Sequence, residues 1–387
     1  MCIRDRAVGA TSLGVLSSAY FYSYALLQLP IGLLTDRFGP RRLMSMAALG
    51  CAVASLGFAY SETLWSATFY RALIGIGVAF AFVGTLAILV EWFPSGRFAF
   101  YAGFLQSMGM FGALAGQAPL RWFIENHGWR MVFVSLAVIA AILSLALYRI
   151  VPRRPVKADN VKQTQSTDKA SLSRSLLEVI RNPQSWVCAL FGFGMAAPML
   201  AFAGLWAIPW LISTRGWSDS HAAAMVAWLF VGWALAAPLA GWLSERMGKR
   251  KPVMIAGALL ALAGMALLVY IDGWLKWQLA ALFFMTGCGG STMIVLFGSV
   301  RELNRPSNNA AAMGFCNMFV VGSGGIMQFL LGWMLDKSAA NAGATTSHEI
   351  YSATDFSFAF NALLITGALA LLAAVLIRET DCRQRLG

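Results

Sequence analysis

The sequence predicts an all-α integral membrane protein built from two related helical bundles. Of its 387 residues, 59% are hydrophobic and only 12% are charged, and the mean hydropathy is +0.67. A chain this apolar cannot cover a soluble surface. Its apolar runs continue over about 18 to 27 residues, the length that an α-helix needs to cross a bilayer. Two charged stretches of nearly the same pattern interrupt these runs and indicate the two bundles.

Eleven apolar runs predict eleven membrane-spanning helices. They lie near residues 10–34, 43–60, 64–90, 98–120, 131–149, 186–212, 222–243, 253–271, 277–300, 310–335 and 356–377. We therefore expect an N-terminal bundle (1–150), a polar cytoplasmic linker (151–183) and a C-terminal bundle (184–387). Apolar residues at 172–180 could form a short amphipathic helix on the membrane face. The alternative for the linker is a solvated tether.

Basic residues predict the orientation of the chain. Alternate loops, beginning with 35–42, hold 21 Lys and Arg residues, whereas the intervening loops hold five. Because cytoplasmic loops carry this excess, we expect the loops at 35–42 and 244–251, the linker and the C-terminus on the cytoplasmic side of the inner (plasma) membrane. The net charge of +12 then reflects topology, and no nucleic acid partner is expected.

The two charged stretches repeat one pattern and are called here the N-hinge (32–42) and the C-hinge (241–251). The N-hinge reads GLLTDRFGPRR and the C-hinge reads GWLSERMGKRK, with glycine, acid, arginine, glycine and a basic pair at equal spacing. A shift of the numbering by 209 relates the hinges, and a shift by 211 superposes Glu91 on Glu302, Gln106 on Asn317 and Gln117 on Gln328. A repeated hinge indicates two related halves.

The halves differ in length before the hinge. In the second half the first span starts near position 186 and the hinge glycine is Gly241, whereas in the first half the hinge glycine is already Gly32. The first half is therefore shorter at this point by about 24 residues, which equals one helix and its loop. We expect a parental fold of twelve helices, of which this chain has eleven and lacks the first.

The N-hinge resembles the signature loop of the major facilitator superfamily (MFS) of transporters, between their second and third helices. The residues that carry this resemblance are Gly32, Asp36, Arg37, Gly39, Arg41 and Arg42. A second family-like motif, Arg71-x-x-x-Gly75-x-Gly77-x-Ala79, lies on the span that would be the fourth helix. The resemblance implies the MFS fold and secondary transport by alternating access, in which two bundles rock about a central site.

The resemblance also implies a conformational latch at the cytoplasmic end. In the family, the acid at the position of Asp36 contacts the start of the eleventh helix, here near 307–311, and holds the outward-open state. By internal symmetry Glu245 would meet the start of the fifth helix near Gly96, and Glu91 and Glu302 are placed to pair with hinge arginines. Anchoring of these charges at the membrane surface is the alternative. The expected latch residues are Gly32, Asp36, Arg37, Gly39, Arg41, Arg42, Glu91, Gly241, Glu245, Arg246, Lys249, Arg250 and Glu302.

A second set of residues is a candidate for the wall of a central substrate path. Arg71 lies about 10 Å inside its span by helical rise, so it should face a wet cavity or a partner, unless it snorkels to the interface. The candidates are Tyr20, Tyr24, Gln28, Arg71, Gln106, Gln117, Trp206, Trp210, Asn317 and Gln328. Polar residues can instead join neighbouring helices, and the tryptophans can anchor at the interface. Pro198 and Pro209 predict that their helix bends.

These features predict a transporter of a small polar organic solute, with an anion or a zwitterion favoured by Arg71. The spans hold no Asp or Glu near their centres, which removes the usual site for proton coupling. No nucleotide loop, catalytic constellation or metal-ligand spacing occurs, so we expect no enzyme activity, cofactor or metal. The expected partners are the substrate, membrane lipid and, as an open option, a coupling ion, and we expect a monomer. The alternative function is a membrane sensor or receptor that keeps the fold without transporting.

Overall fold

A computed structural model describes residues 10–92, 98–116, 118–151, 176–305, 308–341 and 351–383. Each of the eleven predicted spans corresponds to helical structure. The helices are α1 Ala10–Phe38, α2 Pro40–Ala59, α3 Leu64–Trp92, α4 Phe98–Ala115, α5 Ala118–Ile150, α6 Pro183–Ala197, α7 Ala207–Arg215, α8 Asp219–Met247, α9 Lys251–Tyr270, α10 Lys276–Ser291, α11 Ile294–Glu302, α12 Asn309–Asn341 and α13 Ala353–Leu376. Within the described residues, nine segments are long and apolar enough to cross a membrane. The prediction of an all-α membrane protein is therefore confirmed.

Two regions differ from the prediction in how their helices are divided. The expected loop at 121–130 is wrong, because the chain is helical from Ala118 and turns only at Gly128, where φ is 79° and ψ is 155°. The expected single span at 277–300 is two helices, α10 and α11. Near this break, the hydroxyls of Ser291 and Thr292 donate to the carbonyls of Cys288 and Gly289. Such bonds compete with the helix ladder.

The helix with two prolines departs from regular α-helical geometry, and its predicted bend stays a prediction. Residues Pro198–Trp206 form a π-helical segment between α6 and α7. The ring of Pro198 removes one backbone donor, and a π segment accommodates the resulting change of register. The helix therefore continues across the bilayer with a wider central turn.

The described end of the linker packs against the second half. Residues 176–181 are helical, and Val179 is fully buried in the core of the C-terminal helices. Asn182 then caps α6 by accepting a hydrogen bond from the backbone of Gln184, and its amide donates to the Leu303 carbonyl at 2.9 Å. The rest of the predicted amphipathic helix lies outside the described residues.

The two halves meet mainly along α1 and α12, which run antiparallel. A side chain added at Gly14 would come within 2.9 Å of the Gln328 carbonyl oxygen, so the backbones approach closely there. The Tyr22 hydroxyl donates to the Gly325 carbonyl at 3.3 Å. Elsewhere, α8 contacts α4 and α5, and the Ser220 hydroxyl donates to the Glu125 carboxylate at 2.7 Å. Polar contacts thus join the halves along one side and at one end.

Candidate substrate site and hinges

The Arg71 motif sets the position of α3 against its neighbours. A side chain at Gly75 would lie 2.2 Å from the Tyr20 carbonyl oxygen, and one at Gly77 would lie 2.3 Å from the Cys51 sulfur. Glycine is therefore needed for α1 and α2 to approach α3. The Ser23 hydroxyl also donates to the Ala72 carbonyl at 2.8 Å. Residues four apart share a helix face. Arg71 therefore lies on the same face of α3 as Gly75, the face that packs against α1.

Arg71 lies against an aromatic ring and has no acidic partner among the residues that the structure describes. Its guanidinium carbon is 5.3 Å from the centre of the Tyr20 ring, within the range of a cation–π interaction. In the described part of the chain, no carboxylate or other acceptor bonds its guanidinium. Among the described residues, the donors of this arginine, about 10 Å inside a membrane span, thus have no acceptor. It can bind a carboxylate or phosphate with two parallel hydrogen bonds.

The other candidates on α1 form an aromatic and polar face. The rings of Tyr20 and Tyr24 meet edge to face, 6.0 Å apart, and that of Tyr20 also contacts Phe21. Further along, Gln28 accepts a hydrogen bond from the Asn317 amide at 2.7 Å. The amide nitrogen of Gln28 is buried without a partner among the described residues. In this conformation Gln28 and Asn317 therefore join the two halves, as polar residues between membrane helices often do.

The two candidate tryptophans lie in the core of the second half, which corrects their assignment to the cavity wall. Trp206 is fully buried, and Trp210 packs against Phe202 and Phe360. The Trp206 ring nitrogen donates to the Gln328 carbonyl at 3.1 Å. Large apolar rings that find a close-packed site gain more there than at a wet wall. The sequence could not show this, because the rings are covered by other helices.

Gln328 also lies between helices rather than in an open cavity. Its amide donates to the Leu200 carbonyl in the π-helical segment at 2.7 Å, and its side-chain oxygen is buried without a partner among the described residues. The side chain of Gln106 and all of Gln117 lie outside the described residues. Of the candidate set, the structure thus brings Arg71, Tyr20 and Tyr24 together.

In the C-hinge, Arg250 makes a compact network. Its guanidinium donates to both Glu302 oxygens, at 2.7 Å and 3.3 Å, and to the Ser244 hydroxyl at 3.1 Å. Burial lowers the pKa of Arg250, but the hydrogen bond to Glu302 and its charge outweigh this and raise the pKa. The pairing expected between Glu302 and a hinge arginine is present. It joins parts of the same half, and its role in a latch stays a prediction.

A carboxylate that was not among the predicted hinge residues caps the start of α9. The Glu379 carboxylate accepts hydrogen bonds from the backbone of Arg250 at 2.9 Å and of Lys251 at 3.0 Å. Burial raises the pKa of Glu379, but these donors and the amides of Thr380 and Asp381 lower it more, so the net shift is downward. An acid at the N-terminus of a helix is favourable. The C-terminal tail is thereby tied to the C-hinge.

The remaining hinge residues are described only in part. Gly39 has φ 79°, a value that only glycine adopts freely. The Arg41 guanidinium lies 4.7 Å from the Tyr148 ring centre. Arg42, Glu245, Arg246 and Lys249 are exposed, and Gly241 is partly buried. The side chains at Gly32, Asp36, Arg37 and Glu91 lie outside the described residues, as does Gly96, the expected neighbourhood of Glu245.

A further contact between the halves, at the other end of the molecule, was not predicted from the sequence. Asp336, near the end of α12, accepts hydrogen bonds from the backbone of Ala10 and Thr11, and from the Tyr351 hydroxyl. Burial and this bond to Asp336 raise the pKa of Tyr351. The available signal was an acid directly before a lysine at the end of an apolar run, as Asp36 precedes Arg37.

Comparison with known families identifies the chain. The sequence model of the Major Facilitator Superfamily matches residues 3–208 and again residues 199–384. Together these matches cover nearly the whole sequence, and the chain belongs to the Major Facilitator Superfamily. With its apolar helices, it is a multi-pass membrane protein of that family.

Individual relatives and one solved structure agree with this assignment. The chain is 23% identical over 316 residues to the gentisate transporter of Corynebacterium glutamicum, covering 80% of this chain and 69% of that protein. It is 24% identical over 369 residues to the phosphoglycerate transporter protein of Salmonella typhimurium, covering 86% and 74%. The crystal structure of a variant of the nucleoside transporter NupG has a TM-score of 0.71 with 15% identity, covering 97% of this chain and 92% of that one. At this identity, the structural likeness shows the fold alone.

Proposed function

We propose that the protein is a secondary active transporter of small organic anions, and that Arg71 binds the anionic group. The observation that supports this most is the Arg71 guanidinium, which lies inside a membrane span with no carboxylate partner in the described part of the chain. An uncompensated arginine at this depth is costly. An anion that enters from water supplies the missing charge and the missing acceptors.

The surroundings of Arg71 favour a small organic anion over an inorganic one. Tyr20 holds the guanidinium from one side, and Tyr24 extends the aromatic surface beside it. Such a surface packs against carbon atoms of a ligand, while the guanidinium binds its charged group. The names of two relatives, for gentisate and for phosphoglycerate, denote organic anions and are consistent with this class.

The transport mechanism that we propose is alternating access. The two bundles rock about the site, and the hinges lie on the cytoplasmic side with the linker and the C-terminus, as the distribution of Lys and Arg favours. In this scheme Asp36 of the N-hinge binds the start of α12 when the cytoplasmic side is closed. A gradient of the solute or of an ion drives the cycle.

Counterflow in liposomes tests the proposal. Vesicles that contain the purified full-length protein are preloaded with one unlabelled solute, and uptake of the same labelled solute is followed without any ion gradient. We expect exchange of one or more small organic anions, with gentisate and phosphoglycerate in the panel and an uncharged nucleoside and a sugar as controls. Saturable binding of an anion without any exchange would instead support a sensor and overturn the transport function.

A further inference from the structure

The contacts between α1 and α12 follow one antiparallel register over most of their length. Five pairs face each other: Thr11 and Asp336, Gly14 and Gln328, Phe21 and Gly324, Tyr22 and Gly325, and Gln28 and Asn317. Adding the two residue numbers of each pair gives values between 342 and 347, so all five pairs fit one antiparallel register to within five residues. In this conformation the two helices are therefore paired along the boundary between the halves.

At one end of this pair, Asp336 binds the first turn of α1. One carboxylate oxygen accepts from the Ala10 amide at 3.1 Å, and the other accepts from the Thr11 amide at 2.8 Å. The first amides of a helix have no partner within the helix, and the helix dipole makes them favourable for an anion. The Tyr351 hydroxyl, just before α13, donates to the same carboxylate and accepts from the Ala10 amide. Three separate segments of the chain thus meet at Asp336.

The register places the hinge acid at the other end of the same pair. Continuing it along α1 brings Asp36 level with the start of α12 at Asn309. The stretch from Thr11 to Asp36 on α1 has the same length as the stretch from Ala311 to Asp336 on α12. Each helix therefore carries an acid near its C-terminal end, at a position level with the N-terminal turn of the other helix, with about 37 Å between the two ends.

We propose that Asp336 is a periplasmic latch, the counterpart of Asp36: it holds the N-terminus of α1 against the end of α12 while the periplasmic side is closed. This inference rests on the alternating access proposed above. When the bundles rock about the middle of the pair, opening the periplasmic end separates Asp336 from Thr11 and closes the cytoplasmic end, where Asp36 meets α12. Each acid then stabilises one of the two states, and removing either acid shifts the population toward the other state.

The test is the distance between the halves on the periplasmic side. Spin labels are placed at Glu62→Cys, before α3, and at Lys276→Cys, the start of α10, in the full-length protein without its native cysteines. Both positions are exposed and lie in different halves. Double electron–electron resonance in nanodiscs without substrate then gives the ratio of the open to the closed population.

The expected result is a shift caused by Asp336 alone. Asp336→Ala should raise the ratio of open to closed about five- to thirtyfold, as the loss of an acid at a helix N-terminus allows. Asp272→Ala removes an exposed acid on the same side and should leave the ratio unchanged, whereas Asp36→Asn should lower it. An unchanged ratio in Asp336→Ala would overturn the latch.

A second variant tests the latch in case Asp336→Ala does not fold. Tyr351→Phe removes only one donor from the carboxylate, and it should shift the ratio in the same direction by a smaller factor; no shift would again contradict the latch. The failure of the proposed function looks different. A shift in the distances together with no exchange of any anion in counterflow would keep the latch and remove the transport function, whereas exchange without a shift would remove the latch alone.

Discussion

Arg250 and Glu302 are joined by two hydrogen bonds across the C-hinge, at 2.7 Å and 3.3 Å, with about a tenth of each side chain exposed. This geometry differs from that of Arg305 and Glu178, whose atoms are 3.8 Å apart and whose side chains are 62% and 36% exposed. A largely buried pair with two bonds leaves a costly charge behind when one partner is removed. An exposed pair at a long distance leaves little behind.

Glu302→Ala should therefore destabilise the second half by about 3 kcal/mol, because it strands the Arg250 charge. Arg305→Ala, the matched control, should change the free energy of unfolding by at most about 0.5 kcal/mol. Denaturant unfolding of the purified protein in detergent, followed by tryptophan fluorescence, measures both. Equal effects of the two variants would show that the Arg250–Glu302 pair contributes no more to the free energy of unfolding than the exposed pair.

The lowered pKa of Glu379 predicts that the folded protein loses stability in acid. Its pKa lies below the ordinary value of 4.5 in the folded protein, so the folded state favours the charged carboxylate. Its contribution is complete above about pH 4.5 and is lost as the pH falls through the lowered pKa. The unfolding midpoint, measured from about pH 7 to pH 3, should fall less steeply in Glu379→Gln than in the wild type. Glu62→Gln, an exposed control, should keep the wild-type profile.

The close approach of α1 and α3 at Gly75 predicts that their packing affects the contact between Arg71 and Tyr20. A methyl group there would meet the Tyr20 carbonyl at 2.2 Å and the Ser23 hydroxyl at 2.3 Å, so α1 must move away from α3. Gly75→Ala should cost about 1–3 kcal/mol and should reduce exchange by displacing Tyr20 from Arg71. Gly50→Ala is the control, since nothing lies within 4 Å of the added atom, and we expect normal exchange. Wild-type exchange by Gly75→Ala would show that the site does not depend on the close packing of α1 against α3.

The helices were predictable because hydrophobicity is a local property of the chain. Each apolar run long enough to span the bilayer is helical in its described part, and the π-helical segment that starts at Pro198 is consistent with a missing backbone donor. The break between α10 and α11 was not predictable, because side-chain hydroxyls there compete with backbone amides for the same carbonyls. Hydrophobic periodicity does not show whether the hydroxyl or the backbone amide forms the hydrogen bond.

The site was only partly predictable for a different reason. The depth of Arg71 follows from its position in the span, but its stacking on Tyr20 depends on how closely α1 and α3 approach. Trp206 and Gln328 illustrate the limit: both were expected on a polar path, and both lie between packed helices. Whether a polar or aromatic residue of a membrane helix faces a cavity or a partner helix is decided by the neighbouring helix, which the residue's own sequence does not contain.

The most direct test of the account is anion exchange by Arg71→Ala and Arg71→Lys beside Arg130→Ala. Arg130 also lies against an aromatic ring, with its guanidinium 4.5 Å from the Trp129 ring centre, and it is exposed, so it controls for the loss of a stacked arginine. With the anion that the wild type exchanges in counterflow, Arg71→Ala should lose at least about 100-fold in exchange rate, since two charge-assisted hydrogen bonds are lost. Arg71→Lys should retain a small fraction, and Arg130→Ala should match the wild type. Exchange by Arg71→Ala at the wild-type rate and apparent affinity would contradict the central claim.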